Sequence, residues 1–219
     1  MHQQPRTYVY IDGFNFEYAA FRCGPFARYR WLDLCSFSDV VLRRNDVVAV
    51  RFFTARLRPL AGDLRRHLQQ AAYLKALTGL PRLSLHFGIF VRRRVTKRTT
   101  RRMPGVPAKV EVWDIEEKGT DVNLASFLVR DGFRDEYDVA VVVSNDFDLQ
   151  TPIRMVRDEL GKQVGVIPVR HTSVFARDAD FALHVRGSHF RRSQLPRTVA
   201  LADGTVVHKP PEWEAAAHE

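Results

Sequence analysis

Acidic and short polar residues gather in three separate stretches of the 219-residue chain. Tyr10-Ile-Asp-Gly-Phe-Asn15 carries Asp12 and Asn15, Glu116-Glu-Lys-Gly-Thr-Asp121 ends on Asp121, and Ser144-Asn-Asp-Phe-Asp148 carries Ser144, Asp146 and Asp148. Carboxylates brought together repel one another and raise each other's pKa unless a cation is present. Carboxylate and water oxygens suit a hard divalent ion, Mg2+ or Mn2+. Such an ion acidifies bound water and neutralises charge on a scissile phosphate, and two of them about 3.5–4 Å apart would clamp the attacking and leaving oxygens. Asn15 and Ser144 are suited to positioning a ligand, a water or a phosphate oxygen. Each acid also has a plainer use: Asp12-Gly13 as a turn, Asp121 as a helix-capping acid, and Asp148 as the cap of a helix starting near Pro152. Only the combination of places after strands lifts the metal reading above these.

Those places follow from the elements. Thr7–Ile11 is a short strand of aromatic and β-branched residues ending at turn chemistry, Asp12 to Asn15. Val47–Thr54, Leu83–Val91, Asp138–Val143 and Val164–Val169 are further apolar strands, and Val110–Trp113 is a short peripheral one. Helices are predicted over Trp31–Leu42, over Gly62–Leu77 with Leu64, Leu68, Ala71, Ala72 and Leu77 on one side, from a Thr120 cap to about Val129, and over Ala176–Val185. Another starts at Thr151 with Pro152 in its first turn, runs to Leu160 and ends at Gly161. Cys23–Tyr29 reads as loop. Alternating strands and helices give an α/β fold with a mainly parallel sheet, in which ligands bind beyond the carboxyl ends of the strands. One domain is expected over 7–203, between a disordered segment 1–6 and a loose tail 204–219.

Lys and Arg outnumber Asp and Glu by 34 to 25, a formal charge of +9 with a sequence pI near 10.0, which favours polyanionic partners. Arg92 to Arg102 holds seven basic residues and no acid: Arg92, Arg93, Arg94, Lys97, Arg98, Arg101 and Arg102. With Lys118 these are the expected phosphate contacts, carried on a basic mobile excursion over 92–109; a solvated loop without function is the plainer reading. Carboxylates for cations within a basic surround are what a phosphodiesterase needs. No G-x-G-x-x-G follows the first strand, and no phosphate-binding G-x-x-x-x-G-K-[ST], H-E-x-x-H or G-x-S-x-G string occurs. His67, His86, His171, His184 and His189 lack metal-ligand spacing and read as structural. No apolar run is long enough to span a membrane, and the polar start is expected to carry no signal peptide. Two cysteines, Cys23 and Cys35, suit a reducing cytoplasm.

At these strings the chain resembles the NYN family of PIN-like nucleases, the LabA-like proteins. The matching segments are Tyr10-Ile-Asp-Gly-Phe-Asn15, Phe52-Phe-Thr-Ala-Arg56, Glu116-Glu-Lys-Gly-Thr-Asp-Val-Asn-Leu-Ala125, Ser144-Asn-Asp-Phe-Asp148 and Ser193-Gln-Leu-Pro196, spread from Thr7 to Trp213. The resemblance implies a PIN-like three-layer α/β/α sandwich and a ribonuclease dependent on Mg2+ or Mn2+. Asp12, Asp121, Asp146 and Asp148 match the family's acids, and Asn15 and Ser144 match polar positions beside them. Phe147 departs from the pattern, since relatives often carry a small polar residue there. A ring facing the mouth would narrow it or stack on a base. The expected substrate is RNA, with no membrane partner and homodimerisation left open. Two alternatives stand: a DNA nickase or flap nuclease, because nothing in the sequence reads the 2′-OH, and an oxidoreductase hydroxylating a pyridine-type molecule, as some relatives are labelled.

Overall fold

The computed structural model describes residues 3–57, 64–100, 107–169 and 177–215. Six parallel strands form the central sheet: β1 (Arg6–Asp12), β2 (Asp46–Thr54), β3 (Leu83–Phe87), β6 (Val139–Val143), β7 (Gln163–Val166) and β8 (Phe181–Ala182), in the order β3-β2-β1-β6-β7-β8. Two ribbons flank it: β4 (Ile89–Arg98) with β5 (Lys109–Lys118), and β9 (Thr198–Ala200) with β10 (Val206–His208), both antiparallel.

Period-two alternation splits the strands between two cores. Val9, Ile11, Val50, Phe52, Val141 and Val143 pack on one face of the sheet with residues of α1 (Gly13–Glu17), α2 (Leu34–Val41), α3 (Leu64–Leu77) and α6 (Gly187–Arg192). Tyr10, Phe53, Ala140, Val142, Val164 and Val166 pack on the other with α4 (Thr120–Phe133), α5 (Gln150–Arg154) and the π-helical turn Met155–Glu159 that continues it. The result is the expected three-layer α/β/α sandwich. Burial on both faces explains why these strands are almost continuously apolar. No described helix is long and apolar enough to cross a membrane.

Several expectations are corrected. Asp12 to Asn15 is not a free turn, because Asp12 caps α1, taking the Asn15 backbone N–H at 3.1 Å. The run Leu83–Val91 is two strands, divided at Gly88. The short strand at Val110–Trp113 is ten residues long and pairs along its whole length with β4, so Arg92–Arg98 lie in an ordered ribbon rather than a loop. Charge repulsion within the basic run is offset across the ribbon by acidic and aromatic partners, which a strand read alone does not reveal. On α3, Leu64, Leu68 and Ala71 are exposed, and the buried stripe is Leu74, Ala76 and Leu77. The helix expected at Thr151-Pro152 begins earlier: Asp146 caps a 3-10 turn, Phe147–Leu149, that leads into α5. The final helix expected over Ala176–Val185 gives way to β8 at the sheet edge, and Gly187–Arg192 is helical instead. Arg6 belongs to β1 and pairs with Asp138 at 2.7 Å. The described part of the expected tail is packed: Val207 is buried, and Trp213 lies against Trp31 and Tyr73 with ring centres 6.1 and 6.0 Å away. Ser193-Gln-Leu-Pro196 is a clasp, since Trp31 Nε1 donates to the Pro196 carbonyl at 2.8 Å and the Asp33 N–H to Ser193 at 2.8 Å.

A buried polar knot fixes α4 against the sheet. Asp131, fully buried in α4, accepts the Tyr10 hydroxyl at 2.8 Å and the Arg130 guanidinium at 2.5 Å, and its carboxylate pairs with Arg51 of β2 at 2.6 Å. The same helix carries Asp121 at its other end. Removing one member of such a group strands the other charges in a dry site. Asp131→Ala should therefore lose about 3–5 kcal/mol of stability in urea unfolding, whereas a loss under 1 kcal/mol would show the knot to be incidental.

Candidate active site

The sheet changes winding direction between β1 and β6. The chain passes from β1 to β2 on one side, and returns later to lay β6 on the other. Ligand sites in open α/β sheets form at the carboxyl end of such a switch point. Ile11 pairs with Val143, so Asp12 and Ser144 leave the sheet side by side, and the Ser144 hydroxyl donates to Asp12 Oδ2 at 2.8 Å. The Ser144 oxygen in turn accepts the Asp146 N–H at 3.0 Å, and Asp146 Oδ1 accepts the Asp148 N–H at 3.0 Å. Asn15 Oδ1 receives both the backbone N–H and the side-chain amide of Asn145, at 2.9 and 3.0 Å. These bonds hold the loops after β1 and β6 as one unit. Gly13 is required there, because a Cβ would stand 2.6 Å from the Phe53 carbonyl oxygen and 2.8 Å from the Phe52 ring.

Asp121 arrives from the third segment. Gly119 turns the chain into α4 with φ +95°, a conformation that costs glycine least. Thr120 is the first helical residue rather than the cap. Its N–H and hydroxyl both go to the Glu117 carboxylate, at 3.1 and 2.6 Å. Nothing in the chemistry of Glu117 alone marks it out in the sequence. Its signal was its place three residues before a threonine at a helix start.

Asp12, Asp121 and Asp146 each bring a carboxylate oxygen into one cluster, all within 4.8 Å of one another. Asp12 is 4% exposed, and the other two are partly exposed. Burial pushes the Asp12 carboxyl up to about 6, with Asp121 and Asp146 adding repulsion and the Asn15 and Ser144 donors opposing it. Asp121 is raised by burial first, then by Asp146, Glu117 and Asp148. Three carboxylate oxygens, one buried and two reachable, are a donor set that fits a hard divalent cation. Asp148 is exposed and outside the cluster, although its charge is felt at Asp121. Phe147 is 55% exposed and so does not pack into the core.

The basic candidates divide. Arg93 and Lys118 both pair with Glu116, at 3.2 and 2.7 Å, and Lys97 pairs with Asp114 at 2.6 Å. Arg92 and Arg94 instead stand over the Trp113 ring, 3.9 and 5.7 Å from its centre, and Arg98 is exposed on the same strand. Arg101, Arg102 and His171 lie outside the described residues. His86 stacks on Phe53 at 4.8 Å and on Phe127 at 4.2 Å, and burial lowers its pKa to about 4, in keeping with a structural role.

The NYN domain model matches residues 6–185, a span containing all three clustered acids. The chain belongs to the NYN domain family. NYN domains are PIN-like nuclease domains, and the carboxylate cluster is compatible with a nuclease-type function acting on nucleic acid through a metal. The NYN chain is also 28% identical, over 95% of its length and 75% of the relative's, to 6-hydroxy-3-succinoylpyridine 3-monooxygenase HspA of Pseudomonas putida. Among solved structures it shares its fold with a protein of unknown function from Vibrio parahaemolyticus, at a TM-score of 0.52 and 15% identity over 89% of this chain and all of that one.

Like charges this close destabilise the chain when no counter-ion is present. Asp121→Asn should raise the melting temperature in metal-free buffer by about 2–4 °C and abolish the further rise that Mn2+ gives the wild type. An Mn2+-induced rise of equal size in the variant would remove Asp121 from the site.

Proposed function

We propose that this chain is a metal-dependent ribonuclease that hydrolyses RNA phosphodiester bonds with an activated water. The observation that carries the reading is the convergence of Asp12, Asp121 and Asp146, from three distant segments, at the carboxyl end of the switch point. These three would hold Mg2+ or Mn2+, which when bound acidifies water and neutralises charge on the scissile phosphate. Ser144 and Asn15 are positioning residues: the first orients Asp12, and the second ties the β1 and β6 loops together. Asp148, exposed and with its charge felt at Asp121, would orient the attacking water. The bond broken is a P–O ester, and the bond formed joins phosphorus to the water oxygen. RNA stands ahead of DNA through the family resemblance; a nickase or flap nuclease would use the same acids.

A second reading has one observation in its favour. A cavity of about 360 Å3 opens beside Gly13, lined by Phe16, Phe21, Phe52, Tyr73 and Trp213 together with Arg30. It is of a size and aromatic character to take a small aromatic acid, the type of compound named for the Pseudomonas relative. Oxidation of NADH on addition of 6-hydroxy-3-succinoylpyridine would favour that reading.

Purified protein with Mn2+ should cleave RNA, and chelator should stop cleavage while leaving salt-sensitive binding in place. Asp121→Asn and Asp146→Asn should each reduce cleavage by about 100-fold or more. Cleavage by both variants at the wild-type rate would overturn the assignment. DNA substrates run alongside separate the two polymers.

A further inference from the structure

The ribbon of β4 and β5 has two faces of different chemistry. Residues directly opposite in an antiparallel pair share a face. The register Phe90–Glu117, Arg92–Ile115, Arg94–Trp113 and Arg98–Lys109 therefore defines one face, and Val91–Glu116, Arg93–Asp114 and Lys97–Val110 the other. On the second face the cations are held by neighbouring acids, with Arg93 on Glu116 and Lys97 on Asp114. On the first, the exposed Trp113 is flanked by Arg92 and Arg94, and the exposed Ile115 lies next to it toward the site. Among the described residues the one ion pair on that face, Arg94 with Glu111 at 3.7 Å, joins two largely exposed side chains and is worth little.

This face begins at the acid cluster. Glu117, at its base, closes the start of α4 by accepting from Thr120, the residue before Asp121. Its cross-strand partner Phe90 packs edge-on against Phe14, two residues after Asp12, at 5.8 Å. Trp113 is four residues further out along β5, about 13 Å at a rise of about 3.3 Å per residue. An aromatic face with arginines beside it, leading away from a phosphodiester-cleaving site, matches what an unpaired strand offers: π-faces to stack and phosphates to pair. A duplex keeps its bases stacked inward and cannot use the ring.

We propose that the Phe90–Trp113 face of the ribbon is the track for single-stranded RNA entering the site, with Trp113 as its stacking platform and Arg92 and Arg94 as its phosphate contacts. The proposal rests on the nuclease reading for its orientation, but binding to the track is measurable without cleavage. The test uses the Asp121→Asn protein and a labelled single-stranded oligoribonucleotide, with the same sequence as a duplex for comparison. Trp113→Ala should weaken single-strand binding about tenfold, Trp113→Phe should retain most of it, and the Arg92→Ala/Arg94→Ala double variant should weaken it at least as far and flatten its salt dependence. Arg93→Ala/Lys97→Ala, whose cations are already paired with acids on the other face, should weaken it by a clearly smaller factor. Trp31 is fully buried and Trp213 half-buried, so quenching of tryptophan fluorescence by the oligonucleotide should disappear in Trp113→Phe. Equal losses from the two double variants, or unchanged affinity and quenching in the Trp113 variants, would overturn the track. Trp113-dependent binding by a wild-type protein that cleaves nothing would leave the track standing and remove the nuclease reading.

Discussion

Three carboxylates held within 4.8 Å of one another are the constraint from which the rest of the site follows. Two unit charges 5 Å apart repel by about 3 kcal/mol at an effective dielectric of about 20, and less where water screens them. No local element could sustain this. The repulsion is borne by a scaffold whose parts are tied down elsewhere: the β1–β6 register, the hydroxyl of Ser144, and the Asp131 knot that presses α4 onto β1 and β2. The donors around Asp12 lower the cost of its charge without cancelling it, since its carboxyl still lies near 6. A donor set of this kind fits a cation, whose charge would offset the repulsion.

The ribbon is joined to this arrangement through Glu117. One carboxylate closes the N-terminus of α4, sits opposite Phe90 in the ribbon, and adds to the negative field at Asp121. The basic arm is thus continuous with the acidic mouth. Charge pairing across the ribbon does two jobs: it quiets one face and leaves the other with arginines grouped on an exposed ring.

Much of this was legible in the residues. The parallel α/β architecture followed from alternating apolar strands and helices, and the positions after β1 and β6 were visible because each strand ends abruptly in Asp, Asn or Ser. Asp12, Asp121 and Asp146 stand out in the sequence as acids after strands or at a helix start, and the fold brings the three together. Asp148 shares a string with Asp146, and the string alone does not separate them: Asp146 joins the cluster and accepts the Asp148 N–H, whereas Asp148 is exposed. The ribbon is not legible in one strand, because a run of arginines looks unfoldable until its partner is known. Asp114 and Glu116 are that answer, and cross-strand register is not a property of either strand alone. The late segments are illegible for a similar reason: Phe181–Ala182 and Trp213 owe their structure to distant surfaces, the edge of β7 and the rings of Trp31 and Tyr73.

The most direct test of the central claim is crystallographic. Crystals soaked in Mn2+ should show an anomalous peak with Asp12, Asp121 and Asp146 oxygens all at coordinating distance from it, close to the roughly 2.0–2.1 Å of Mg2+. A well-ordered structure at saturating Mn2+ with these carboxylates splayed apart, or with the ion bound elsewhere, would contradict it.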